Sequence, residues 1–266
     1  MNDNAINALL LTLIAGGATS VGALLTFFVK QNNFRILALG MSFSAGVMIY
    51  LSFMDILPMA ITNMSADAEI SKLGHIGAIA MFFIGVFLAG IIDYFVPEHL
   101  HSDEHPQKDK KNFASKRAHR AAILTALALA IHNFPEGFSV FVTSLENITV
   151  GVGVAIAITL HNIPEGVSVA LPIYSATGNK SKAFWIATAS GIAEPVGALF
   201  AYLIFAPILT PTISGMALAL TAGLMVYIAL DELLPMAREY GEEHYGIFGV
   251  FGGMALMAIV SVVFGY

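Results

Sequence analysis

Cysteine is absent from this 266-residue chain. That excludes disulfides, thiolate metal sites and cysteine nucleophiles together. Charge is scarce too: only 11% of residues are Asp, Glu, Lys or Arg, against about 25% in a soluble domain. What replaces the missing charge is apolar, with 57% hydrophobic residues and a mean hydropathy of +0.79. An ordinary soluble domain is excluded on that balance, no nucleic-acid partner is expected, and each polar residue that remains becomes informative. The opening "MNDNAIN" has no basic stretch, so no cleaved signal peptide is expected and the first apolar segment directs insertion.

Crossing the hydrocarbon core takes about 20 apolar residues. Eight segments qualify: 6–29, 34–61, 73–96, 119–143, 147–173, 183–207, 212–236 and 246–265. Threading them alternately puts Lys30, Arg35, Lys108, Lys110, Lys111, Lys116, Arg117, Arg120, Lys180, Lys182 and Arg238 on one side, and Lys72 alone on the other. Basic loops face the cytoplasm. Both termini are therefore expected outside it, and the hydrophilic loop 97–118 inside. The lipid bilayer is the solvent for this fold.

The chain also repeats itself. "SAGVMIYLSFMDILPMA" (44–60, span 2) aligns with "TAGLMVYIALDELLPMA" (221–237, span 7), sharing Gly46/Gly223, Met48/Met225, Tyr50/Tyr227 and Pro58/Pro235. "GGATSVGALL" (16–25, span 1) aligns with "GIAEPVGALF" (191–200, span 6), and a His-x-Gly opens spans 3 and 8 at His75 and His244. Spans 1–3 thus correspond to spans 6–8. An offset of five spans reverses the direction of each copy, giving an inverted repeat of the kind found in secondary transporters, whose substrate site lies near the midplane. The expected fold is an all-α integral membrane protein: one domain over 1–266, with eight transmembrane helices in a 3+2+3 arrangement. Its parts are repeat one (1–96), the loop (97–118), a central helix pair (119–173) and repeat two (183–266).

The central pair carries a second repeat, "IHNFPE" (131–136) and "LHNIPE" (160–165). A charged group at this depth costs about 3 kcal/mol or more unless partnered, which makes a functional site the default reading. On a helix, His at i and Glu at i+4 lie about 40° apart, with Asn at i+1 beyond, so the Glu points between them. Pro135 and Pro164 lack an N–H and crowd the carbonyls of Ile131 and Leu160, which are expected to be freed or bent. Gly137 and Gly166 admit a close neighbour. Paired on adjacent helices, His132, Asn133, Glu136, His161, Asn162 and Glu165 surround one point. Span 6 adds Glu194, itself followed by a proline, Pro195. Imidazole plus carboxylate suits a divalent ion such as zinc, iron, manganese or cobalt. Three carboxylates tolerate one such ion or two, and the spacing leaves that number open.

Asp55, Asp93, Asp231 and Glu232 are the remaining acids within spans. Asp55 sits toward the outer end of span 2 and Glu232 toward the inner end of span 7. They read either as pathway carboxylates or as side chains snorkelling to the interface. Met48 reads either as packing or as a sulfur ligand, and "EHLHSDEH" (98–105) as a weak metal site or a solvated loop.

These motifs, over essentially the whole chain, resemble the ZIP (Zrt-, Irt-like) family of metal-ion transporters. The resemblance implies eight helices in a 3+2+3 order and a metal site between spans 4, 5 and 6. Matched by position, the ligands are His132, Asn133, Glu136, His161, Asn162, Glu165 and Glu194, in some members around two metals bridged by the paired glutamates. It also implies uptake of divalent metal into the cytoplasm. Zinc, and with it iron, manganese, cobalt or cadmium, would be cargo rather than cofactor. The expected setting is the bacterial inner membrane, with a homodimer left open. No HExxH and no Ser/His or Ser/Lys pairing stands out, so no catalytic residue is expected.

Overall fold

The structure, a computed structural model, describes residues 3–28, 34–65, 71–95, 127, 129–131, 133–205, 208, 210–240 and 243–264. The loop 97–118 and its 98–105 stretch lie outside the described residues. Among the described residues the regular structure is entirely helical, and seven helices are long and apolar enough to cross a membrane. Span 1 is α1 (Asp3–Leu25). Span 2 is α2 (Phe34–Tyr50), a π-helical turn (Leu51–Ile56) and α3 (Leu57–Met64). Span 3 is α4 (Ser71–Phe95). Span 4 is α5, helical over 129–131 and 133–146. Span 5 is α6 (Ile148–Thr177). Span 6 is α7 (Lys180–Gly191) and α8 (Ala193–Phe200), ending in a π-turn (Ala201–Phe205). Span 7 is α9 (Pro211–Ile228), a π-turn (Ala229–Leu233) and α10 (Leu234–Tyr240). Span 8 is α11 (Glu243–Phe264).

Local chemistry sets the boundaries. The Asn147 side chain accepts from the N–H groups of Thr149 and Val150, opening α6 one residue after α5 closes. Gly178 ends α6 at φ 66°, a left-handed conformation that suits a residue without Cβ. Asn179 and Thr210 cap α7 and α9 through the N–H groups of Lys182 and Ile213. In hydrocarbon every backbone polar group needs an internal partner, and unbroken helices supply it.

Backbones touch where glycine permits. Gly22 lies against the Ile163 carbonyl and Gly166 against that of Thr19. Gly197 and Gly137 meet the carbonyls of Phe134 and Glu194 in the same way. The first two contacts join spans 1 and 5, and the second two join spans 6 and 4. Residue by residue they are equivalent under the repeats. A second set relates Gly46 at Val250 and Gly253 at Phe43 to Gly223 at Phe82 and Gly85 at Leu220. The inverted repeat is therefore built into the packing. The second set pairs Gly85 with Gly253, so the His75/His244 match is one residue out of register: tertiary contact, not the short motif, sets the alignment of spans 3 and 8.

Spans 1, 5 and 6 pack on one another, and spans 2, 3, 7 and 8 form a second group. The π-turns of spans 2 and 7 occupy equivalent places. Leu57 N–H donates to the Ser52 carbonyl and Leu234 N–H to that of Ala229, five residues back. In that register the missing N–H of Pro58 faces Phe53 and that of Pro235 faces Leu230. The carbonyls that face a proline are thus those of Phe53 and Leu230 rather than Met54 and Asp231, because the wide turn shifts the pairing by one residue.

Candidate metal centre

The α5–α6 turn fixes the depth of the two hexapeptides. Asn133 lies 14 residues before Asn147 and Asn162 lies 15 residues after it, about 21–23 Å down each helix at 1.5 Å per residue. Antiparallel neighbours reverse the His-to-Glu order, so one motif's histidine meets the other motif's glutamate. His161 Nε2 lies 3.1 and 3.2 Å from the carboxylate oxygens of Glu136 and 3.8 Å from Glu165 Oε1. On one helix the Glu points between its own His and Asn; packing brings His161 closer to the Glu of the other helix. Glu136, His161 and Glu165 bring ligand atoms within 4.8 Å of one another, and all three are buried. His132 lies outside the described residues.

The asparagines are oriented alike. Asn162 Nδ2 donates to the Ala15 carbonyl at 2.8 Å and Asn133 Nδ2 to that of Ser190 at 3.2 Å, and Ala15 and Ser190 are repeat partners. With each amide nitrogen tethered to backbone, each carboxamide oxygen is turned the other way. Both Oδ1 atoms are fully buried and have no hydrogen-bond partner among the described residues. A buried carboxamide oxygen without a partner is an acceptor that a cation can complete.

Glu194 is fully buried and accepts from Asn162 Nδ2. Span 6 breaks at Ile192, because Pro195 cannot donate to the Gly191 carbonyl. Glu194 consequently falls in the first turn of α8, where the helix N-terminus favours a negative charge. At Pro164 α6 runs on without a break, and Ser44 Oγ donates to the His161 carbonyl at 3.0 Å. A hydroxyl on a neighbouring helix thus bonds to backbone one residue beyond Leu160, whose carbonyl faces the missing N–H of Pro164. Sequence reasoning missed Ser44; the signal for it was its repeat partner Thr221, another hydroxyl.

Met48 is fully buried in the hydrophobic core. Asp55 is half-buried and accepts from Ser261 Oγ of α11 at 3.2 Å. The repeat partners of that pair are Glu232 and Asp93, and both line a cavity of about 900 Å³ between spans 3 and 7 on one side and spans 4 and 6 on the other. Asp93 Oδ2 accepts from Tyr227 Oη at 3.4 Å. The cavity marks where the two halves differ. In one half Pro164 lies where a Cβ on Gly40 would point, and Ser44 holds the His161 carbonyl. In the other their partners Pro135, Ala217 and Thr221 face the cavity.

Fold and site together define a helical integral membrane protein with an inverted repeat and a buried His/Asn/carboxylate cluster between its central helices. The model of the ZIP zinc transporter family matches residues 96–261. Relatives named "Zinc transporter ZupT" align over nearly the whole chain. The one from Chlorobium luteolum is 48% identical, covering 95% of this chain and 96% of its own. That from Nitratidesulfovibrio vulgaris is 44% identical over 99% of both. The one from Campylobacter jejuni is 43% identical over 95% and 94%. The chain belongs to the ZIP zinc transporter family, a family of transporters rather than enzymes.

Proposed function

We propose that the chain carries zinc, and with it iron, manganese, cobalt and cadmium, across a bacterial inner membrane into the cytoplasm. The ion is cargo, held by His132, Asn133, Glu136, His161, Asn162, Glu165 and Glu194. The observation that carries this reading is the convergence of Glu136, His161 and Glu165 on one buried point, supported by the buried oxygens of Asn133 and Asn162, which have no partner among the described residues. Three carboxylates compensate the desolvation of a divalent cation that the apolar core alone would repel. The cycle is alternating access: spans 1, 4, 5 and 6 shift against spans 2, 3, 7 and 8 and expose the site first outside, then inside. Both termini face outside, following the distribution of basic residues.

The experiment is uptake of radioactive zinc by proteoliposomes, with unlabelled metals as competitors. Saturable uptake, stimulated when the vesicles are preloaded with unlabelled zinc, is expected. Uptake that does not saturate and shows no such exchange would replace the carrier with a passive channel, and absence of uptake would overturn the assignment.

A further inference from the structure

The gap between spans 4 and 7 is bridged at the end away from the basic loops. Glu146, the exposed last residue of α5, accepts from Asn63 Nδ2 at 2.9 Å with both carboxylate oxygens and from Ser214 Oγ. Asn63 belongs to α3 and Ser214 to the first turns of α9, both in the group of spans 2, 3, 7 and 8. Glu146 belongs to the helix pair that bears the two hexapeptides. Gly215, beside Ser214, fits against the Ala60 carbonyl and Asn63 Cβ, so α3 and α9 present their two donors as one unit. On the other side the hairpin tip is equally fixed. Asn147 caps α6 directly after Glu146, and Gly151 lies against Ser144. A displacement of Glu146 therefore carries both motif-bearing helices with it. Next to Ser214, Ile213 begins the lining of the cavity that continues down to Glu232. Closure at the outer rim thus coexists with a gap below it.

We propose that Glu146 is the outer clasp of the transport cycle. Its carboxylate holds the α5–α6 hairpin against α3 and α9 in the state seen here and must release Asn63 and Ser214 when the site turns outward. This rests on the alternating-access reading above. A carboxylate bonded to neutral donors suits a contact that is made and broken each cycle. An apolar contact of similar area would stay dry and shut, and a buried ion pair would be costly to open.

The absence of cysteine gives a clean test. Glu146→Cys is combined with Asn63→Cys, and separately with Ser214→Cys. Each pair is joined by a short reducible bis-methanethiosulfonate linker that spans the side chains replaced. Zinc uptake into proteoliposomes is measured before linking, after linking and after reduction. At least a tenfold loss on linking, recovered on reduction, is expected, while the reagent leaves each single-cysteine variant at its own untreated rate, whatever that rate is. A merely structural contact predicts no loss, since linking preserves it. Linked protein that transports within twofold of the unlinked form, in whichever pair folds and inserts, overturns the clasp alone. A cysteine-free parent that moves no zinc overturns the transport reading and the clasp with it.

Discussion

At the residue scale the centre works by shared contacts. Glu136 faces His161 across the helix pair and Glu165 faces it along one helix, so neither carboxylate has a substitute. Glu136→Gln and Glu165→Gln keep size and an acceptor but remove charge that the proposed cargo would need. Each should lower zinc uptake by at least about tenfold, the scale of losing a ligand contact, while the protein still reaches the membrane. Uptake normalised to inserted protein checks this, and normal rates in both would remove them from the site. Glu194 and Thr19 occupy equivalent positions, but only Glu194 carries charge, bonded to Asn162. Glu194→Ala should change competition among metals more than Thr19→Ala, and equal small effects would place Glu194 off the pathway.

At the element scale the helices are set by glycine contacts rather than by apolar faces, because lipid is as apolar as leucine and offers no hydrophobic preference for helix over bilayer. A Cβ on Gly166 would overlap the Thr19 carbonyl, whereas one on Gly17 would meet nothing within 4 Å. Gly166→Ala should destabilise by about 1–3 kcal/mol, the usual cost of overpacking. Gly17→Ala should be neutral or slightly stabilising, since alanine restricts the unfolded chain. Thermal unfolding in detergent separates the two, and equal melting temperatures would contradict the backbone contact. The paired π-turns belong to this scale as well: each carries an acid, Asp55 in span 2 and Asp231 with Glu232 in span 7.

At the scale of the whole molecule the inverted repeat places those acids toward opposite faces. A carboxylate in a low-dielectric vestibule concentrates cations without the convergent ligands that would trap them. Asp55→Asn retains an acceptor for Ser261, so it isolates the charge. It should raise the half-saturating external zinc concentration and leave the maximal rate less affected. Replacing Asp231 and Glu232 together by Asn and Gln should chiefly lower the maximal rate by slowing release. Initial-rate uptake over a range of zinc concentrations distinguishes them. An unchanged half-saturation for Asp55→Asn would return that residue to a snorkelling or structural role.

Span number, the inverted repeat and the doubled hexapeptide were legible in the sequence because membrane depth demands long apolar runs and penalises every polar residue that lacks a purpose. Glu136, His161, Glu165 and Glu194 stood out for that reason. What only the tertiary structure decided was which groups meet. His161 pairs with Glu136 because the helices are antiparallel, and the asparagine oxygens are presented because carbonyls of spans 1 and 6 hold their nitrogens. Glu146, read from sequence, is one more acid at a helix end. Its role depends on Asn63 and Ser214, 83 and 68 positions away. Periodicity and composition report how each helix divides polar from apolar; they carry no record of which helix stands opposite, and the inequality of the two halves exists only once they are packed.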